Sequence, residues 1–216
     1  MNFNSMREAL TSLSRSNVGV ASAVLLSMLA SIALWTVFPN IDDENHLLEW
    51  LQALFLALAC TVHGVRAWQE TDRQSLRFLM HAGLCALLFG FLLRELDIDQ
   101  FGTAPAWAQL EKALRVVELL ILIRLLIFFA PRARKVFAHA GLIFSMRITI
   151  LTAIGGLLMA AGWPFDKKVF HGMPDAYALL GEEVFELGAY LLLFLASLSD
   201  STAAACISLA PKKKTA

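Results

Sequence analysis

The chain has 216 residues, 58% hydrophobic and 17% charged, with a mean hydropathy of +0.64. That apolarity excludes a soluble domain of this size and predicts an all-α, polytopic membrane protein. The formal net charge is zero, which gives no electrostatic footing for binding nucleic acid, but the charges are sorted along the chain and define two opposite faces.

Residues 1–17 place Phe3, Met6, Leu10 and Leu13 at helical spacing beside Arg7 and Arg15. They read as a cytoplasmic amino-terminal segment, either lying on the membrane surface or without fixed structure. The first span is expected at 18–38, since its apolar run matches the roughly 20 residues that cross a bilayer better than the shorter core of a signal peptide. Cleavage after Ala33 stays open as an alternative. Further spans are expected at 46–66, 76–95, 108–130, 140–163 and 181–199, which makes a six-helix transmembrane domain over 18–210 and a basic cytoplasmic tail over 211–216.

Orientation follows from the links between spans. Arg66, Arg73 and Arg77 follow the second span, Arg132, Arg134 and Lys135 follow the fourth, and Lys212, Lys213 and Lys214 close the tail. The alternate links hold Asp42, Asp43, Glu44, Asp97, Asp99, Asp166 and Asp175, with Lys167 and Lys168 as exceptions. Basic residues stay cytoplasmic, so both termini are expected inside a plasma membrane of bacterial inner-membrane type. Trp35, Trp50, Trp68, Trp107 and Trp163 all fall near span ends, where indoles prefer to sit. Asp97, Phe101 and Pro105 recur 69 positions later as Asp166, Phe170 and Pro174. Three related helical hairpins would produce that pattern, and so would coincidence between apolar segments.

The acidic face carries the candidate chemistry. Glu49, Glu118 and Glu186 lie in the outer halves of the even-numbered spans and are expected to converge on one pocket. Arg94 and Glu95 end the third span on the same side. Arg115 is one turn from both Glu111 and Glu118, and Glu182, Glu186 and Tyr190 share a stripe with Glu183 beside it. These residues form a candidate binding set for an ion or substrate. With His46, the glutamates Glu49, Glu118 and Glu186 also form a speculative ligand set for a divalent cation. Glu186 has no basic residue within a turn of its own helix, so a bound cation or a proton is expected to meet its charge rather than an arginine. The plainer reading is that Arg94 and Arg115 neutralise their neighbours, while Glu182 and Glu183 are solvated residues of a first helical turn.

Toward the inner side, His63 and His81 with Cys85 read as polar threads, as ligands of a haem between two histidines, or as interfacial residues. Cys60, Cys85 and Cys206 lack any paired spacing and read as small core residues. Arg124 and Arg147 are expected to snorkel to the inner surface, while Gly155-Gly156 and the Gly83 to Gly90 spacing predict close helix packing. No GxSxG, HExxH or Walker motif occurs, nor the Glu-x-x-His pairs of a ferritin-like di-iron site. The two-glutamate pattern of intramembrane CAAX-type proteases fails at Leu187, where those enzymes carry arginine. Three function classes remain: transport or handling of a cation or proton-coupled solute, a carboxylate- or metal-dependent enzyme acting on a lipid-linked substrate, and an accessory subunit of a membrane complex or homo-oligomer.

Overall fold

A computed structural model describes residues 12–38, 47–199, 201, 204 and 207–209. The described residues are 84% helical and contain no strand. The helices are α1 (Asn17–Val37), α2 (Leu47–Gln69), α3 (Leu76–Glu95), α4 (Pro105–Phe129), the short α5 (Ala133–Ala138) and α6 (Ala140–Ser145), α7 (Arg147–Asp166) and α8 (Asp175–Ser197). Four of them, α1, α2, α3 and α7, are long and apolar enough to cross a membrane. Helices α4 and α8 have 25 and 23 residues, ample for the roughly 20 that a span needs, but carry more charge. Residues Arg7, Asp42, Asp43, Glu44, His46, Cys206 and Lys212 to Lys214 lie outside the described residues.

Helix α8 is the axis of the bundle. Its backbone packs most closely on α7, α2 and α1, whereas α3 packs most closely on α2, and α4 most closely on α3. Small residues make the close contacts possible, as expected where packing rather than hydrophobic exclusion joins apolar helices. A Cβ on Gly188 would come within 3.0 Å of Met28 on α1, and one on Gly155 within 3.1 Å of Leu193. Gly181 faces the Phe165 ring so closely that a Cβ would stand 2.5 Å from it. Gly156 and Gly83 meet nothing within 4 Å, so only Gly155 and Gly90 of the glycines expected at packed positions are in fact there.

Two helix starts differ from the sequence reading, and both matter for the site. Helix α8 begins at Asp175 after the extended Pro174, not at Gly181 where the apolar run begins. Glu182 and Glu183 therefore lie about two turns inside the helix, and Asp175 is the acidic residue of its first turn. The first-turn explanation for Glu182 and Glu183 does not hold. Helix α7 begins at Arg147, because Met146 is extended (φ −72°, ψ 134°) and breaks the run into the separate α6. Gln52 bonds Glu183 near one end of the bundle and Arg66 bonds the Ser199 carbonyl near the other, so α2 and α8 run parallel. Past α8 the chain turns back over the α2–α3 link, where Leu76 N–H donates to the Ile207 carbonyl at 2.8 Å and Leu209 N–H to that of Gln74 at 2.6 Å.

Candidate functional site

The junction of α2, α3 and α8 near the start of α2 gathers most of the candidate residues. Arg94, in the last turn of α3, places Nη2 at 2.6 Å from Glu186 Oε1, 2.7 Å from Glu95 Oε1 and 2.8 Å from the Tyr190 hydroxyl. Its Nε donates to the same Glu95 oxygen at 2.9 Å, and Tyr190 donates its hydroxyl there too, also at 2.9 Å. The side chain of Arg94 is 51% exposed, against 6% for Glu95 and 13% for Glu186. The guanidinium thus covers two nearly buried carboxylates from the open side, and the fully buried Tyr190 holds them from beneath. Arg94 meets Glu186, so the sequence expectation of a cation or proton in that role gives way to an arginine from the neighbouring helix.

A second set adjoins the first. Buried Glu183 accepts from Gln52 Nε2 at 2.6 Å, and the same amide reaches the Glu183 carbonyl at 3.1 Å. Gln52 Oε1 is buried and has no hydrogen-bond donor among the described residues, an arrangement that leaves roughly 1–3 kcal/mol of desolvation unmet. Glu49, one turn before Gln52, lines a narrow crevice with Trp50, Ala53, Glu95 and Leu96. Gln52 was not singled out in the sequence, although the Glu49-x-x-Gln52 spacing puts it on the face of Glu49.

Helix α4 stands apart from this junction. Arg115 pairs with Glu111 at 2.6 Å, and the other Glu111 oxygen accepts the Asp99 backbone N–H at 3.1 Å, tying α4 to the 3-10 turn Ile98–Phe101. The Glu118 carboxylate lies against Gly90, where any Cβ would collide with it. At about 100° per residue, Gly90 is turned about 100° from Phe91 and about 140° from Glu95, which meet Tyr190. Glu118 therefore meets α3 on a different face from the one that carries Glu95 to Tyr190: similar depth along neighbouring helices leaves the direction around each helix undetermined. Glu182 belongs to neither hydrogen-bonded set and backs onto Gly162 of α7.

The proposed metal set is not assembled. Among the described residues no three His, Cys, Asp or Glu side chains stand where they would hold a metal ion, Glu118 lies against Gly90 on another face of α3, and His46 lies outside the described residues.

Beneath Tyr190 comes an apolar layer of Leu56, Ala59, Leu88, Leu193 and Phe194. Below it, α2 and α3 bring together the buried His63 and His81, Nδ1 to Nδ1 at 2.8 Å, with His81 Nε2 at 2.9 Å from Ser201 Oγ. Cys60 and Cys85 meet one turn away, sulfur to sulfur at 3.6 Å. The histidines touch directly, which leaves no gap for a haem between them.

These observations define an all-helical protein with helices apolar enough to cross a membrane and two buried polar layers parted by an apolar one. Comparison with protein-family models, with curated proteins and with solved structures finds no match for the chain.

Proposed function

We propose that the chain is an integral plasma-membrane protein of six spans with both termini on the cytoplasmic side, and that its carboxylate cluster takes up protons or a small cation in the handling of a solute. The observation that carries this reading is a charge surplus. Glu95 and Glu186 are nearly buried against the guanidinium of Arg94, and Glu183, one turn before Glu186, is buried against Gln52, so full ionisation of the three leaves two negative charges that Arg94 does not compensate in a low-dielectric setting. Isolated buried charge is among the most costly states a protein can hold. Protons or a small cation would remove the surplus, and the unmet Gln52 Oε1 would accept from either a protonated group or a hydrated ion. The apolar layer beneath Tyr190 then separates the cluster from the histidine pair, as a device that binds on one side before releasing on the other requires.

Proteoliposomes loaded with a pH-sensitive dye test the proposal. An imposed potential should drive proton or monovalent-cation movement through the intact protein and not through Glu186→Gln. Equal flux in both, or none above empty vesicles under any cation gradient, would contradict it.

The accessory-subunit reading draws on a different observation. Helix α4 buries none of its residues and exposes Lys112, Arg115 and Arg124, so a partner helix or a second copy would cover charges that lipid does not. Cross-linking of cysteines introduced on α4, detected in the native membrane, tests that reading.

A further inference from the structure

A cleft of about 550 Å3 opens between α1 and α7 and is floored by Leu192 of α8. It falls within the roughly 300–1,000 Å3 of ordinary ligand sites. Its length is apolar, with Val24, Met28, Ile154 and Leu158 among its walls, and its polar residues are Asn17, Ser145 and Arg147. Arg147 is the first residue of α7, where the positive end of the helix adds to its charge. Two of its guanidinium nitrogens are used: Nε donates to the Ser14 carbonyl at 2.7 Å and Nη1 to Asn17 Oδ1, which fastens the start of α7 to the start of α1. The third, Nη2, is buried without a hydrogen-bond partner, and no carboxylate pairs with Arg147, among the described residues.

A permanent cation with no carboxylate partner among the described residues, in the lining of an apolar cleft, is matched by one chemistry. It requires an anion with acceptor oxygens, carried on a hydrocarbon chain. We infer that the cleft is a site for one anionic phospholipid, with an acyl chain along α1 and α7 and the phosphate on Arg147. A planar guanidinium suits phosphate oxygens, and a headgroup of net negative charge, with no cation of its own, suits it better than a zwitterionic one. The basic links at this end of the bundle, with Arg73, Arg132 and Lys135, place the site toward the leaflet where anionic lipids concentrate, if the positive-inside rule governs the chain. This site is independent of the carboxylate cluster and stands or falls without it.

Native mass spectrometry of the purified full chain, delipidated and re-equilibrated with phosphatidylglycerol or phosphatidylcholine, tests the inference. The intact protein should retain phosphatidylglycerol about fivefold better, the preference expected of one basic residue near an anionic headgroup. Arg147→Gln should lose that preference, and Arg147→Lys should keep most of it. Ile154→Trp, which fills the cleft and leaves the guanidinium in place, should lower retention of both lipids. Equal retention of the two lipids by the intact protein would overturn the proposal. So would an undiminished preference in Arg147→Gln or unchanged retention in Ile154→Trp.

Discussion

Helices α4 and α8 are of similar length and both carry glutamates well inside the helix, yet one lies at the rim of the bundle and the other at its centre. The difference tracks the basic residues. Helix α4 brings Lys112, Arg115 and Arg124, and Arg115 satisfies Glu111 within the same helix. Helix α8 brings no lysine or arginine, so Glu186 must take its counter-charge from Arg94 on α3 and Glu183 its donor from Gln52 on α2. A helix that neutralises itself can sit at an edge. One that does not is bound to its neighbours by its own carboxylates, and α8 accordingly buries nearly every residue from Leu187 to Ser197.

The sharpest way to break the contrast is to remove the shared cation. Arg94→Gln strands Glu95 and Glu186 and should cost about 3–5 kcal/mol, as removal of one partner of a buried pair does. Thermal unfolding of the detergent-purified protein measures this, and a loss below about 1 kcal/mol would mean that the cluster is wet. Next in size is Gly188→Leu, which forces a side chain against Met28 and should cost about 1–3 kcal/mol through overpacking, while the same change at the open Gly156 should be nearly silent in the same assay. Tyr190→Phe removes one hydroxyl donor from Glu95 and should cost about 1–1.5 kcal/mol. Smallest of all should be Arg115→Ala. Its pair with Glu111 joins residues four apart on a half-exposed helix face, so the change should lie within about 0.5 kcal/mol. A large loss there would show that α4 is buried against a partner after all.

Much of this was legible in the sequence. The apolar runs locate α1, α2 and α3 to within a few residues, because length and hydropathy suffice where a helix is bounded by charge on both sides. Spacing along one helix shows that Glu186 and Tyr190 share a face, and it is on that face that Arg94 and Glu95 of α3 meet them. The start of α8 was hidden because Asp175 to Leu180 is mixed in character and Gly181 resembles a boundary. Only the packing of Phe165 shows that this glycine sits mid-helix. The face of α3 that Glu118 meets was hidden for a different reason. Helical periodicity fixes which residues share a face but not which neighbour that face meets, and Gly90, the position against which Glu118 lies, is silent until α3 and α4 are docked. The meeting of His63 with His81 and of Cys60 with Cys85 likewise depends on the register of α2 against α3.

The central claim is that Glu95, Glu183 and Glu186 hold more negative charge than Arg94 neutralises, and that protons or a small cation make up the difference. Infrared titration of the purified protein reads the carboxyl groups directly. In a sodium-free and potassium-free buffer near neutral pH, a protonated carboxyl band should be present, should diminish in Glu183→Gln and Glu186→Gln, and should fall on adding the cation if an ion competes for the site. A spectrum showing only ionised carboxylates under cation-free conditions, unchanged by either substitution, would contradict the account.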